Sequence, residues 1–162
     1  MEEAEHREPW VEVEAMVQSG DADQLDGYLH RLPPGEPARV LSRLGEERRA
    51  EVVGLLAEGD AAALLTELSN VQAAEILEHL SPDQAAAIVS EVKSNQQADL
   101  LGALETERTE AILDRMAPQE ADDLRRLVQY APDTAAGLMV TEYLAFGEDL
   151  QVEDVMNDLR EN

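Results

Sequence analysis

The chain contains no cysteine, which excludes disulfide bridges and thiolate metal sites and suits the cytoplasm. Aromatic residues make up only 3% of the 162 residues, so the core has to be built from Leu, Val, Ile and Ala. No apolar run approaches the roughly twenty residues of a membrane span, and the acidic start (Glu2, Glu3, Glu5) is unlike a signal peptide. Basic residues are scarce: 12 Lys and Arg stand against 36 Asp and Glu, a formal net charge of −24 at pH 7. Such a surface repels nucleic-acid phosphates and anionic lipid headgroups, which argues against both as direct partners. It also works against its own compactness, so divalent cations are expected to tighten it. With few histidines and no thiols, its carboxylates favour hard cations such as Mg²⁺ or Ca²⁺ over zinc. His6, His30 and His79 fall on separate elements and show no ligand spacing. A D-x-D-x-D-G calcium loop, a nucleophile elbow, a Gly-rich phosphate loop and a two-histidine helix motif are all missing, so no enzyme is expected.

What is present is a repeat. From Pro33 to Val128 a twelve-residue unit recurs eight times without a gap. The last position is apolar throughout: Leu44, Leu56, Leu68, Leu80, Val92, Leu104, Met116 and Val128. The eighth is equally strict, from Val40 and Val52 to Ile112 and Leu124, and the ninth fails only at Arg125. The sixth is Ala in six consecutive units, Ala38 to Ala98. Positions six, eight, nine and twelve are separated by steps of three and four, the face of an amphipathic helix. One long helix is excluded, because twelve residues at about 100° leave roughly 120° of residual rotation per unit. Each unit is therefore a separate short helix.

The seams carry the breaks. Ser69 with Gln72, Ser81 with Gln84 and Ser94 with Gln97 fit the capping box. Pro82 and Pro118 suit a first helical turn, and Gly45 and Gly59 punctuate other seams. Helices of about nine residues are not stable alone in water, so neighbours must hold them, with Ala at position six allowing close approach. The fold class expected is all-α: a superhelical stack of short antiparallel helices built on a ~12-residue repeat, with a truncated strand-helix segment at the C-terminus.

Three segments follow. Residues 1–24, with Trp10 in an acidic setting, read as a helix or a frayed tail, and residues 25–131 as the array. After a Pro-containing joint at Tyr130 to Asp133, residues 132–162 read as a junction and the beginning of a second domain. That beginning comprises a strand from Tyr143 to Phe146, a turn at Gly147-Glu148-Asp149 and a helix from Val152 to Arg160.

The array followed by D-T-A-A-G-L-M-V-T-E-Y-L-A-F resembles the cytosolic N-terminal domain of MgtE-type magnesium transporters, joined to the start of a CBS domain. One departure is Ala136, where the family more often has a second glycine. The resemblance implies a regulatory Mg²⁺ sensor. Cation bound between the array and CBS domains of the same chain would hold a compact, closed-pore arrangement, in a homodimer at the inner face of the cell membrane. This fragment itself has no pore and inserts into no membrane. The family's metal-facing acidic pair falls on Asn95 and Asp99, one helical turn apart and opposite Leu100, Leu101 and Leu104. A further acidic position falls on Ala63. Only Asp99 keeps a carboxylate, so the expected Mg²⁺ site is weak or incomplete.

The remaining acids have simpler readings. Glu105, Glu107, Glu110 and Asp114, interleaved with Arg108 and Arg115, read as a solvated face with local pairs. Glu120, Asp122 and Asp123 before Arg125 and Arg126 complement a helix dipole. The alternative function is a helical-repeat interaction scaffold in a soluble CBS-domain protein, since stacked helices offer concave surfaces; the helical arrays of flagellar motor switch proteins are an analogy for it.

Overall fold

In the computed structural model, which describes residues 8–141 and, beyond them, residues 151, 153 and 156, every repeat unit is one short helix. The units give α3 (Glu36–Arg43), α4 (Glu46–Leu55), α5 (Glu58–Thr66) and α6 (Asn70–His79), then α7 (Pro82–Ser90), α8 (Ser94–Gly102), α9 (Thr106–Leu113) and α10 (Pro118–Leu127). Two helices precede them, α1 (Pro9–Ser19) and α2 (Ala22–Leu29). The expected strand at Tyr143 to Phe146 and the turn after it lie outside the described residues. Of the expected helix from Val152 to Arg160 only Glu153 and Met156 are described, and both are helical.

From the second unit onward, the first residue of the unit is the N-cap: Gly45, Ala57, Ser69, Ser81, Lys93, Glu105 and Ala117. Ser69 Oγ accepts the Gln72 amide at 3.3 Å, and Ser81 with Gln84 forms the full reciprocal capping box. The box expected at Ser94 and Gln97 does not form. Ser94 is second in its unit, one place past the cap position, so Lys93 caps α8 and Ser94 enters the helix. There it is buried and its hydroxyl accepts the Thr141 amide at 2.8 Å. Gly59, expected at a seam, lies in the first turn of α5.

Helices two apart in sequence pack together: α4 on α6, α6 on α8 and α8 on α10, with α3 on α5, α5 on α7 and α7 on α9. Consecutive helices thus alternate between two layers, and two units make one structural repeat. α1 lies against α2, α3 and α4 and closes the N-terminal end with Val13 fully buried. The core runs along the array as the pattern requires. Leu41, Val53, Leu65, Leu77, Val89 and Leu101, the ninth positions, are each 0% exposed. At about 1.5–3 kcal/mol for each buried aliphatic side chain, this seam supplies what a lone short helix lacks.

Position five is buried as well, from Ala61, Ala73 and Ala85 to Gln97, Thr109 and Ala121. The two polar residues in this row are satisfied by carbonyls of the preceding helix. Gln97 Nε2 donates to the Val89 oxygen at 2.8 Å, and Thr109 Oγ1 to the Leu101 oxygen at 2.9 Å. Each bond adds a side-chain donor to a carbonyl in the last turn of a helix, which already accepts a backbone amide. Arg108 also donates from one guanidinium nitrogen to the Leu77 and Leu80 carbonyls at the end of α6.

Candidate metal centre

Asn95 and Asp99 lie one turn apart in α8, both half-buried. Asp99 lines a cleft of about 250 Å³ with Asn70 and Ala103 on one side and Tyr130, Pro132 and Gly137 of the junction on the other. Asn95 Oδ1 is shielded from solvent and accepts no hydrogen bond. A buried carbonyl oxygen left without a donor costs about 1–3 kcal/mol. A donor or a cation would satisfy it. An amide oxygen and a carboxylate are hard ligands of the kind Mg²⁺ accepts, the remaining positions being filled by water or by a facing domain. The donor set therefore fits the expected ion in chemistry, with one formal charge.

The junction is wound tightly beside this cleft. Thr134 donates its amide (3.0 Å) and its hydroxyl (2.7 Å) to the Ala131 carbonyl, and Thr134 Oγ1 accepts the Gly137 amide at 3.1 Å. Gly137 is required there, because a Cβ would lie 2.2 Å from the Ala131 oxygen. The Thr141–Ser94 bond then ties the end of the junction to the first turn of α8.

Ala63 sits in a second cleft, of about 180 Å³, lined by Asp26, His30, Asp60 and Glu67 among others. Acids thus flank the position at which the sequence places alanine. Asp26, His30 and Asp60 each bring a ligand atom within 4.8 Å of the other two. The histidines were expected to form no ligand set; His30 departs from that expectation. Asp26, four residues earlier on α2, was within reach of local spacing. Asp60 comes from α5, and only the two-layer packing brings it near. The His30 pKa is raised above its usual value, first by the bond to the Asp26 main-chain oxygen and then by the Asp26 and Asp60 carboxylates.

The acidic stretch of α9 pairs at longer range than expected. Arg108 turns inward to α6, Arg115 pairs with Asp83 at 2.8 Å, and Glu110 and Asp114 both pair with Arg125 at 3.0 Å. In α10 the local pairs do form, Arg125 with Asp122 and Arg126 with Asp123. Glu120 instead accepts hydrogen bonds from Gln97 and Ser90.

Residues 32–133 match the MgtE intracellular N domain. The chain belongs to that family. The MgtE N domain seen here is also similar to the crystal structure of the cytosolic domain of the Mg²⁺ channel MgtE in complex with ATP. That likeness has 31% identity and a TM-score of 0.77, covering 94% of this chain and 62% of the other. A second structure, the soluble part of a magnesium transporter, shares the fold at 19% identity and a TM-score of 0.71, covering 94% and 60%. No curated protein matches the chain. The chain thus spans about three-fifths of the length of these two structures. No helix among the described residues is long and apolar enough to cross a membrane.

Proposed function

We propose that this MgtE N domain is the cytosolic regulatory region of a magnesium transporter, which senses Mg²⁺ and gates the pore by docking onto CBS domains that continue from its junction. Residues 25–131 form the sensing array, and residues 132–162 the junction and the first part of a CBS domain. The full-length protein is a homodimer at the inner face of the membrane, and this region catalyses no reaction. The observation that supports the reading best is the donor-less Asn95 Oδ1, one turn before Asp99, which lines the cleft beside the junction.

Asn95 and Asp99 would hold the ion. When bound, Mg²⁺ offsets the repulsion between carboxylates of facing domains and shifts the population toward the docked arrangement. The chain's own contribution is positional: α8 presents both oxygens on one face, and the Ser94–Thr141 bond fixes the junction beside them. The net charge of −24 supplies the repulsion that separates the domains without the ion.

An NMR titration with MgCl₂, against NaCl at matched ionic strength, tests the reading. Saturable shifts around Asn95 and Asp99, seen with Mg²⁺ alone and lost in Asp99→Ala, are the expected result. Equal, diffuse shifts with both salts would reduce the effect to screening and sink a cation site on α8.

A further inference from the structure

We infer that Asp26, His30 and Asp60 form a binding site for a borderline divalent metal ion of the zinc class, clamping the end of α2 to the start of α5. The site is separate from Asn95 and Asp99, shares no ligand with them, and lies wholly within the array.

The orientation of His30 carries the inference. Its Nδ1 lies 3.1 Å from the Asp26 main-chain oxygen, the placement of a helix C-terminal histidine that donates to the carbonyl four residues back. His79 does the same with Glu75, at 2.8 Å. In the neutral ring this bond commits the only N–H to Nδ1 and leaves a lone pair on Nε2. In His30, and not in His79, Nε2 then faces a carboxylate: Asp60 Oδ1 is 3.3 Å away. In the neutral ring two lone pairs meet at that separation, and either a proton on Nε2 or a metal ion relieves the repulsion, the two competing for one nitrogen.

Asp26 Oδ1 lies 3.2 Å from Nδ1, whose hydrogen is directed at the main-chain oxygen, so it faces the ring without accepting a hydrogen bond. One nitrogen or oxygen from each of the three side chains lies within 4.8 Å of the other two, close enough to share one ion.

The spacing suits a metal. A tetrahedral ion with bonds of about 2.0 Å to nitrogen and oxygen has an edge of roughly 3.3 Å, which equals the His30–Asp60 separation. A main-chain carbonyl holding Nδ1 is the outer contact that metal-bound histidines usually have. One imidazole with two carboxylates suits zinc, manganese or cobalt better than Mg²⁺, which prefers oxygen alone. His30 and Asp60 are open to arriving ions, at 59% and 42% exposure. The adjoining cleft, with Glu67 in its wall, leaves room for water or a further ligand. The composition favours hard cations over zinc, and that preference holds for the surface at large; this pocket is the exception because the fold collects an imidazole there.

The test is Co²⁺ and Zn²⁺ binding to the whole chain in excess Mg²⁺, which saturates the general acidic surface. We expect one saturable Co²⁺ site with a ligand-field absorption band, and a Zn²⁺-induced shift of the His30 Nε2 resonance. His30→Ala and Asp60→Asn should each weaken binding more than about a hundredfold, beyond the usual loss of an outer contact, with the circular dichroism unchanged. His79→Ala should leave it intact. Binding that survives both substitutions would overturn the site, as would a His30 ring that responds to protons and to neither metal. The Mg²⁺ shifts around Asp99 should persist in His30→Ala, so failure here is separable from failure of the sensor on α8.

Discussion

Leucine has two fates in this molecule. In the middle of the array Leu65, Leu77 and Leu101 are 0% exposed, whereas in the junction Leu138 is 66% exposed, followed by Met139 at 56%. The residue type is the same and so is the chain; the neighbours differ. A repeat unit buries its ninth position because a helix two units away lies over it, and the junction has no such helix among the described residues. Burial here is thus a property of the stack rather than of the residue, as expected where each unit contacts only its neighbours. The terminal unit makes the same point from inside the array. Its ninth position is Arg125, which turns to Glu110, Asp114 and Asp122 where earlier units pack an aliphatic side chain.

The largest effect that could break this comparison is truncation of a buried leucine. Leu77→Ala or Leu101→Ala should cost about 2–5 kcal/mol, the transfer term plus a cavity the stack cannot close. Leu138→Ala should stay within about 0.5 kcal/mol, as surface changes do. Urea unfolding followed by circular dichroism measures both. Equal losses at Leu77 and Leu138 would mean that the junction belongs to the core.

The contrast also marks what could be read in advance. The period of twelve gave every helix from α3 to α10, because register repeats add up over eight units. It gave the burial of position eight throughout, of position nine up to Leu113 and of position six from Ala50 to Ala98, for the same reason. Position five escaped notice, since Gln97 and Thr109 are polar and their burial depends on a carbonyl of the preceding helix. At the candidate sites, α8 was legible through the resemblance, and the Asn95–Asp99 spacing is a local helical fact. The His30 cluster was half legible. Asp26 sits four residues before it, but Asp60 enters only because α5 packs where it does. Contacts between layers are what a one-dimensional pattern leaves out.

A second test separates damage to the junction from damage to the array. In Gly137→Ala the new Cβ would lie 2.2 Å from the Ala131 carbonyl oxygen, and both atoms belong to backbone or are fixed to it. One segment must move, at about 1–3 kcal/mol. The cost should fall locally. Amides of residues 137 and 138 should exchange faster with solvent, because their bonds to Thr134 are lost, while those of α6 and α7 keep their rates. Uniform acceleration would show that the junction and array unfold as one unit.

The smallest effect divides two serines that a sequence pattern puts in one class. Ser81 opens its unit and caps α7 reciprocally with Gln84. Ser81→Ala should cost about 1 kcal/mol, since the Gln84 amide loses its acceptor. Ser94 is one place further on, and its hydroxyl accepts the Thr141 amide. Losing the Thr141 bond should cost about 0.5–1.5 kcal/mol, the net value of one hydrogen bond, felt at the junction. The two variants are therefore hard to tell apart by global stability and easy to tell apart by hydrogen exchange. Thr141 should lose protection in Ser94→Ala and keep it in Ser81→Ala, with the first turn of α7 behaving the opposite way. Should both variants expose their own helix starts alone, Ser94 would be a cap after all. The shift of one residue within the unit would then have no consequence. It has one because a cap must precede the helix, and a residue inside the first turn has its side chain free for a different partner.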